Sequence, residues 1–345
     1  MKYHLLGRSG LRVSEISLGT MTFGEEWGWG ASKEESRKQF ELFVERGGNF
    51  IDTANRYTEG TSERFVGEFV RPDREKYVVA TKYTLSMRKG DVSFSGNSRK
   101  NMIQSLDNSL KRLGLEYIDL YWLHAWDFMT PIDEVMRSLD DVVRAGKVLY
   151  IGISDTPAWI VSIANTIADL RGWTPFVALQ IEYSLLQRAP ERDLLPMAKA
   201  LDLAVTPWGV LGGGALSGKY SRKNNEPGIT GRVKPDSSRR NERAMRIAAV
   251  VDKVADEVGR PSVQIALNWA RQRDQVVIPI IGARTATQLK ESLDALDFEL
   301  NADQMMRLDE VSEIELGFPH DFLKQPPISN LIAGDLSHLI HNHRH

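Results

Sequence analysis

The chain has 345 residues, 42% hydrophobic and 26% charged, with a formal net charge of −2 and no cysteine. That length allows one large domain or two medium ones around a sizeable core. The near-neutral charge gives no electrostatic case for nucleic acid or acidic lipid as a partner, and the missing cysteines exclude disulfides, thiolate catalysis and cysteine-held zinc. No apolar segment approaches the roughly 18 residues that span a bilayer. The opening Met1-Lys2-Tyr3-His4-Leu5-Leu6-Gly7-Arg8 lacks the apolar stretch of a signal peptide. The expectation is a cytoplasmic protein with no membrane segment.

Taken in chain order, Tyr3 to Leu6 and Val13 to Ile16 read as the strands of a hairpin turning at Gly7-Arg8-Ser9-Gly10. One rhythm then recurs: a short apolar run, a polar loop and an amphipathic stretch. Candidate strands are Ser17–Leu18, Asn49–Ile51, Tyr77–Ala80, Ile118–Trp122, Val148–Ile151, Ala178–Gln180, Ala204–Thr206 and Val277–Pro279. Ser32 reads as the N-cap of a helix to Glu45, stopped by Gly47-Gly48. Further helical patterns begin at Thr61 and cover Ser98 to Arg112, Pro131 to Arg144, Pro157 to Leu170, Glu191 to Ala200, Ala244 to Val258, Pro261 to Arg271 and Thr285 to Ala295. Proline near the first turn recurs because its missing N–H costs nothing there.

Strands alternating with helices predict a parallel sheet with helical crossovers. An open doubly wound sheet would favour a glycine-rich dinucleotide loop after its first strand. Gly19-Thr20-Met21-Thr22-Phe23-Gly24 lacks the G-x-G-x-x-G spacing, and no helix follows at once. The eight strands therefore favour an α/β fold of the (β/α)8 TIM barrel type, with an N-terminal β-hairpin and long loops at the C-terminal face. Residues 1–345 read as a single domain, with 318–345 as a C-terminal tail holding five of the seven histidines. Leu85 to Asn97 and Lys219 to Glu242 are the other breaks in the rhythm. Long loops at the active face of a barrel form lids or pocket walls.

Four polar residues follow three successive apolar runs: Asp52 and Tyr57 in Ile51-Asp52-Thr53-Ala54-Asn55-Arg56-Tyr57, Lys82 in Val79-Ala80-Thr81-Lys82, and His124 in Tyr121-Trp122-Leu123-His124. Each alone is ordinary, as a cap, a surface group or a satisfied core residue. Together they occupy the active-face position of adjacent strands. Carbonyl reduction leaves charge on oxygen, which needs a proton. A free phenol has a pKa near 10 and a nearby ammonium lowers it. Lys82 is expected to lower the pKa of Tyr57, Asp52 to hold Lys82, and His124 to donate a hydrogen bond to the carbonyl oxygen. No metal is expected.

The later strands carry groups suited to a hydride-donating cofactor. Ser154 and Gln180 suit an amide such as a nicotinamide carboxamide, and Trp208 offers a flat face for a ring. The glycines of Trp208-Gly209-Val210-Leu211-Gly212-Gly213-Gly214 let backbone N–H groups approach a pyrophosphate. Gly282-Ala283-Arg284-Thr285 opens a helix, and a helix N-terminus with an arginine suits an anion. Phe23, Trp27, Trp29, Tyr83, Trp126 and Phe128 are expected to line an aromatic entrance for unbranched or aryl carbonyls.

With Asp-Thr-Ala-x-x-Tyr at 52–57, Thr81-Lys82 and Leu123-His124, the chain resembles the aldo-keto reductases over nearly its whole length. The resemblance implies a (β/α)8 barrel that reduces aldehydes and ketones with NADPH, NADH being disfavoured by Arg284 near the 2′-phosphate. It implies a tetrad of Asp52, Tyr57, Lys82 and His124, and nicotinamide contacts at Ser154, Asp155, Gln180 and Trp208. Leu211, Gly213, Arg284, Gln288 and Glu291 map to phosphate and adenine contacts. Two residues depart from the family pattern: Asp155 stands where asparagine is usual, and Ser292 where asparagine is common. Gln180 to Arg188 and Trp208 to Gly214 are more similar to bacterial members and potassium-channel β subunits than to mammalian aldose reductases. That similarity implies an alternative role as a nicotinamide-binding regulatory subunit and admits a homo-oligomer. A barrel lyase using Lys82 as a Schiff-base nucleophile is a third reading, which needs an uncharged lysine.

Overall fold

The computed structural model describes residues 1–221 and 236–341. Strands β1 (Tyr3–Leu5) and β2 (Arg12–Ser14) form the antiparallel hairpin. Its turn is pressed against the barrel. Gly7 has φ +54°, and a Cβ there would lie 2.2 Å from the Val177 carbonyl oxygen, so only glycine fits. The Arg8 N–H, donating to the Asp202 carbonyl at 2.8 Å, locks the same contact.

Eight parallel strands follow: β3 (Ser17–Gly19), β4 (Phe50–Asp52), β5 (Val78–Tyr83), β6 (Ile118–Leu123), β7 (Val148–Ser154), β8 (Phe176–Glu182), β9 (Ala204–Trp208) and β10 (Ile280–Ile281). They are hydrogen-bonded in chain order from β3 to β9, and β10 pairs with β3. A bridge between Val205 and Val277 closes the ring. The last strand was expected at Val277–Pro279, but its regular part is Ile280–Ile281. Pro279 is the reason. It has no N–H to give the ladder, so Ile278 donates to Val205 on one side while the Pro279 carbonyl accepts from Ser17 on the other.

Helices α1 (Lys33–Glu45), α2 (Thr61–Val70), α3 (Arg99–Leu113), α4 (Ile132–Arg144), α5 (Ala158–Arg171), α6 (Leu194–Ala200), α7 (Glu242–Val258), α8 (Ser262–Arg271) and α9 (Ala286–Leu293) ring the barrel. Ser32, Ser98, Asn241 and Thr285 cap them through their side chains, and Pro131, Pro157 and Pro261 stand at the N-caps of α4, α5 and α8. The helix expected from Glu191 begins instead at Leu194, after a 3-10 turn at Ala189–Glu191. Helix α10 (Ala302–Ser312), closed by an Asn301–Gln304 capping box, had not been separated from the sequence. The tail is not shapeless. It contains α11 (His320–Leu323) and α12 (Pro326–Ala333), both exposed. His343 and His345, and most of the Lys219 to Glu242 stretch, lie outside the described residues.

The period of two along each strand divides the core. Phe50, Val78, Ala80, Leu120, Trp122, Ala178 and Ala204 form one cluster with Leu6 and Val13 of the hairpin, which fill the barrel interior from below. Ile51, Val79, Tyr121, Leu123, Ile153 and Leu179 belong to the other cluster, packed against the helices. Gly152 makes room for Trp122, whose ring would be 2.4 Å from a Cβ there. Continued one step, and two on β9, the interior parity gives Asp52, Lys82, His124, Ser154, Gln180 and Trp208. All six fall within two residues of the C-terminal ends of their strands, where barrel chemistry is placed.

Candidate active site

Lys82 is fully buried and Asp52 nearly so. The Lys82 ammonium donates to Asp52 Oδ2 at 2.5 Å, to the Thr53 carbonyl at 2.8 Å and to the Tyr57 hydroxyl at 3.0 Å. The other Asp52 oxygen accepts from Gln180 Nε2 at 3.0 Å. Both carboxylate oxygens and all three ammonium protons are thereby occupied. A buried ion pair needs that complete set of partners, since removing two charges from water costs several kcal/mol per ion, an order-of-magnitude figure. Burial pulls the Lys82 pKa down, but Asp52 and Tyr57 more than reverse it, and the value ends above the ordinary lysine range. A charged Lys82 is no Schiff-base nucleophile.

Tyr57 reaches the cluster through a tight turn. Thr58 (φ 45°) and Glu59 (φ 54°) are both left-handed, a conformation costing about 1–2 kcal/mol per residue. The turn is tied down at both ends: Thr58 Oγ1 donates to the Phe23 carbonyl at 2.6 Å and accepts from the Ser62 N–H at 3.1 Å. The Arg56–Glu59 ion pair and a Trp27 Nε1–H bond to Glu59 at 3.2 Å hold the outer side.

The phenol's acidity differs from expectation. Lys82 does pull the Tyr57 pKa down, but burial outweighs it, and the net shift is upward. The phenol is thus kept protonated, loaded as a donor. His124 stands edge-on to Tyr57, ring centres 6.0 Å apart. Burial, and then the Lys82 charge, push its pKa well below the usual histidine value, so the imidazole is neutral. Its Nδ1 has no hydrogen-bond partner among the described residues.

A cavity of about 880 Å³ opens over this cluster. Asp52, Tyr57, His124, Ser154, Asp155, Gln180, Trp208, Leu211, Gly213, Arg284, Gln288 and Glu291 all line it. Lys82 lies one layer beneath. Ser154 Oγ is buried and has no partner among the described residues, an open group awaiting an amide or carbonyl. Gln180 spends its amide N–H₂ on Asp52 and keeps Oε1 to accept. Asp155 Oδ1 accepts from Trp208 Nε1 at 3.2 Å, so the residue flagged as unusual in the sequence orients the aromatic face. Arg284 has no carboxylate partner among the described residues, beside the N-terminus of α9 capped by Thr285. Anions are favoured at such a terminus.

The aromatic wall is narrower than expected. Of Phe23, Trp27, Trp29, Tyr83, Trp126 and Phe128, only Trp27 lines the cavity. Tyr83 follows inward-facing Lys82, so strand parity turns it outward, where it stacks on Tyr121 with centres 5.3 Å apart. Phe23 is fully buried against Phe69. Trp29 leans on Trp27 at 5.6 Å, Trp126 packs on the outer core, and Phe128 is exposed. Arg56, Leu85 and Met21 complete the mouth and had not been singled out. Arg239, reaching from beyond β9 to Glu182 Oε1 at 2.5 Å, was likewise missed, because a loop-to-strand ion pair has no sequence period.

Residues 15–313 match the model of the aldo/keto reductase family. The chain is 40% identical to an NADP(+) aryl-alcohol dehydrogenase of Phanerodontia chrysosporium, over 90% of this chain and 86% of that one. The chain belongs to the aldo/keto reductase family. It is also 36% identical to a norsolorinic acid reductase of Aspergillus flavus (99% of this chain, 90% of that one) and 37% identical to an aryl-alcohol dehydrogenase of Pestalotiopsis microspora (93% and 85%). An aldo/keto reductase is an oxidoreductase that works on carbonyl groups with a nicotinamide cofactor, and this chain is an enzyme of that family. No helix among the described residues is long and apolar enough to cross a membrane, and none of their side chains cluster as a metal site.

Proposed function

We propose that this reductase converts aldehydes and ketones, aryl carbonyls foremost, to alcohols with NADPH. The observation that carries the proposal is Lys82 bridging Asp52 and Tyr57 from beneath the floor of a cavity whose other wall offers Ser154, Gln180, Trp208 and Arg284. The reduced nicotinamide supplies hydride when bound. Ser154 Oγ and Gln180 Oε1 receive its carboxamide, Trp208 flanks the ring, and Arg284 takes the 2′-phosphate that separates NADPH from NADH. Leu211, Gly213, Gln288 and Glu291 line the way to the rest of the nucleotide.

Neutral His124 holds the substrate oxygen by a hydrogen bond, and Tyr57 gives that oxygen its proton. The phenolate left behind lies 3.0 Å from the Lys82 ammonium, which Asp52 keeps charged and in place. A positioned proton donor contributes about 10²–10⁴ in rate. Trp27 and Leu85 at the mouth favour an aryl or other apolar substituent, and two of the relatives are named for aryl alcohols. Steady-state oxidation of NADPH and NADH across aryl aldehydes, aliphatic aldehydes, ketones and sugars tests the proposal. Turnover of aryl aldehydes with NADPH well above NADH is expected. Absence of turnover across the panel with NADPH bound would refute it.

A further inference from the structure

We propose that Asp155 sets the redox preference of the bound nicotinamide, its carboxylate favouring the oxidised, cationic ring over the reduced, neutral one and so promoting hydride release toward the carbonyl. The inference rests on the nicotinamide reading above. It begins from a charge with no counter-charge among the described residues. Asp155 lies at the C-terminal end of β7 in a left-handed conformation, φ 41°, and lines the same cavity wall as Ser154, Gln180 and Trp208. No cation among the described residues is ion-paired with it. The charged groups facing it are already committed: Lys82 to Asp52, and Glu182 to Arg239. Burial raises its carboxyl to about 6, with the Trp208 hydrogen bond and Lys82 opposing and Glu182 assisting, so it is mostly ionised at pH 7 and above.

The second observation is the 3.2 Å bond from Trp208 Nε1 to Asp155 Oδ1. Indole N–H is only a donor, so this bond fixes the aromatic plane relative to the carboxylate. A ring lying against Trp208 is thereby held near a fixed negative charge. Carbonyl reduction moves a hydride, two electrons with one proton, from that ring to the carbonyl carbon, while the oxygen takes the Tyr57 proton. The ring is left with a positive charge that it lacked before. A carboxylate nearby stabilises the state after transfer and not the state before. Asparagine, usual at this position in the family, can accept the same indole bond but brings no charge.

That difference makes Asp155→Asn a clean variant, keeping shape and the indole bond while deleting the charge. Calorimetric titration of the full-length protein with NADP⁺ and with NADPH, at pH 8 and pH 5, reads the effect without turnover. At pH 8 the variant is expected to bind NADP⁺ about tenfold more weakly, with NADPH changed by less than about twofold, for charges several ångströms apart at a partly screened site. At pH 5 the native ratio should move toward that of the variant as its carboxyl protonates, while the variant's ratio stays put. Equal weakening of both nucleotides, or an unchanged ratio, would overturn the inference and leave Asp155 as a packing or carboxamide contact. Failure of the native protein to bind either nucleotide would instead overturn the nicotinamide reading, and the inference with it.

Discussion

At the ends of β4 and β5, Asp52 and Lys82 spend all their hydrogen bonds on protein groups, whereas around β7 to β10 some polar side chains keep groups open. Both Asp52 oxygens and all three Lys82 protons are partnered before any ligand arrives, one of the Asp52 oxygens by the Gln180 amide from β8. Ser154 Oγ has no partner and Arg284 no counter-charge among the described residues. The contrast follows from what each half must do. A proton donor has to be held in one geometry and one protonation state, and burial with complete internal bonding achieves that. A cofactor site must exchange its ligand, so its groups stay free to bond it.

The contrast breaks most severely in Lys82→Met. The substitution leaves the Asp52 carboxylate buried without its cation, and truncating one partner of such a pair costs about 3–5 kcal/mol. Chemical denaturation should show that loss, and carbonyl reduction should vanish with it. A loss under about 1 kcal/mol would mean that the cluster is hydrated rather than dry.

Arg284→Ala acts on the open half and should leave folding untouched. Loss of a charge-assisted contact predicts NADPH binding weaker by roughly ten- to a hundredfold, with NADH binding unchanged. Equal weakening of both would move the 2′-phosphate elsewhere.

The smallest effect concerns His124. Its folded pKa is depressed by burial, so below the unfolded value near 6.5 the unfolded chain binds a proton that the folded one resists. Stability contributed by this group is present above that pH and falls as the pH drops toward the folded pKa. Melting temperatures from pH 7.5 to pH 5 should therefore fall faster for the native protein than for His124→Gln. Asp155, raised to about 6, gives the opposite slope in part of that window, but equally in both proteins. Parallel curves would show His124 to be charged or solvated.

Much of this site was legible in the sequence because strands have a period of two and end where apolar runs end. Asp52, Lys82, His124, Ser154, Gln180 and Trp208 each close such a run, and the barrel then brings them together. The same parity held a signal left unused: if Lys82 points inward, Tyr83 points outward. What could not be read depends on contacts distant in sequence. Phe23 is buried by Phe69 of α2, and Arg239 finds Glu182 across 57 residues. The rise of the Tyr57 pKa was hidden for a related reason. Sequence showed the lysine that lowers it, but not the burial that wins. Pro279 was visible, yet its splitting of the last strand emerges only with both neighbours in place.

The division between a proton-donating half and a cofactor-holding half is tested most directly by Tyr57→Phe, which deletes one hydroxyl and little else. NADPH affinity and single-turnover reduction of an aryl aldehyde should be measured on the same preparation. Affinity within about twofold of native, with reduction slowed by about 10²–10⁴, is expected. Reduction at the native rate, or NADPH binding lost together with it, would contradict the division.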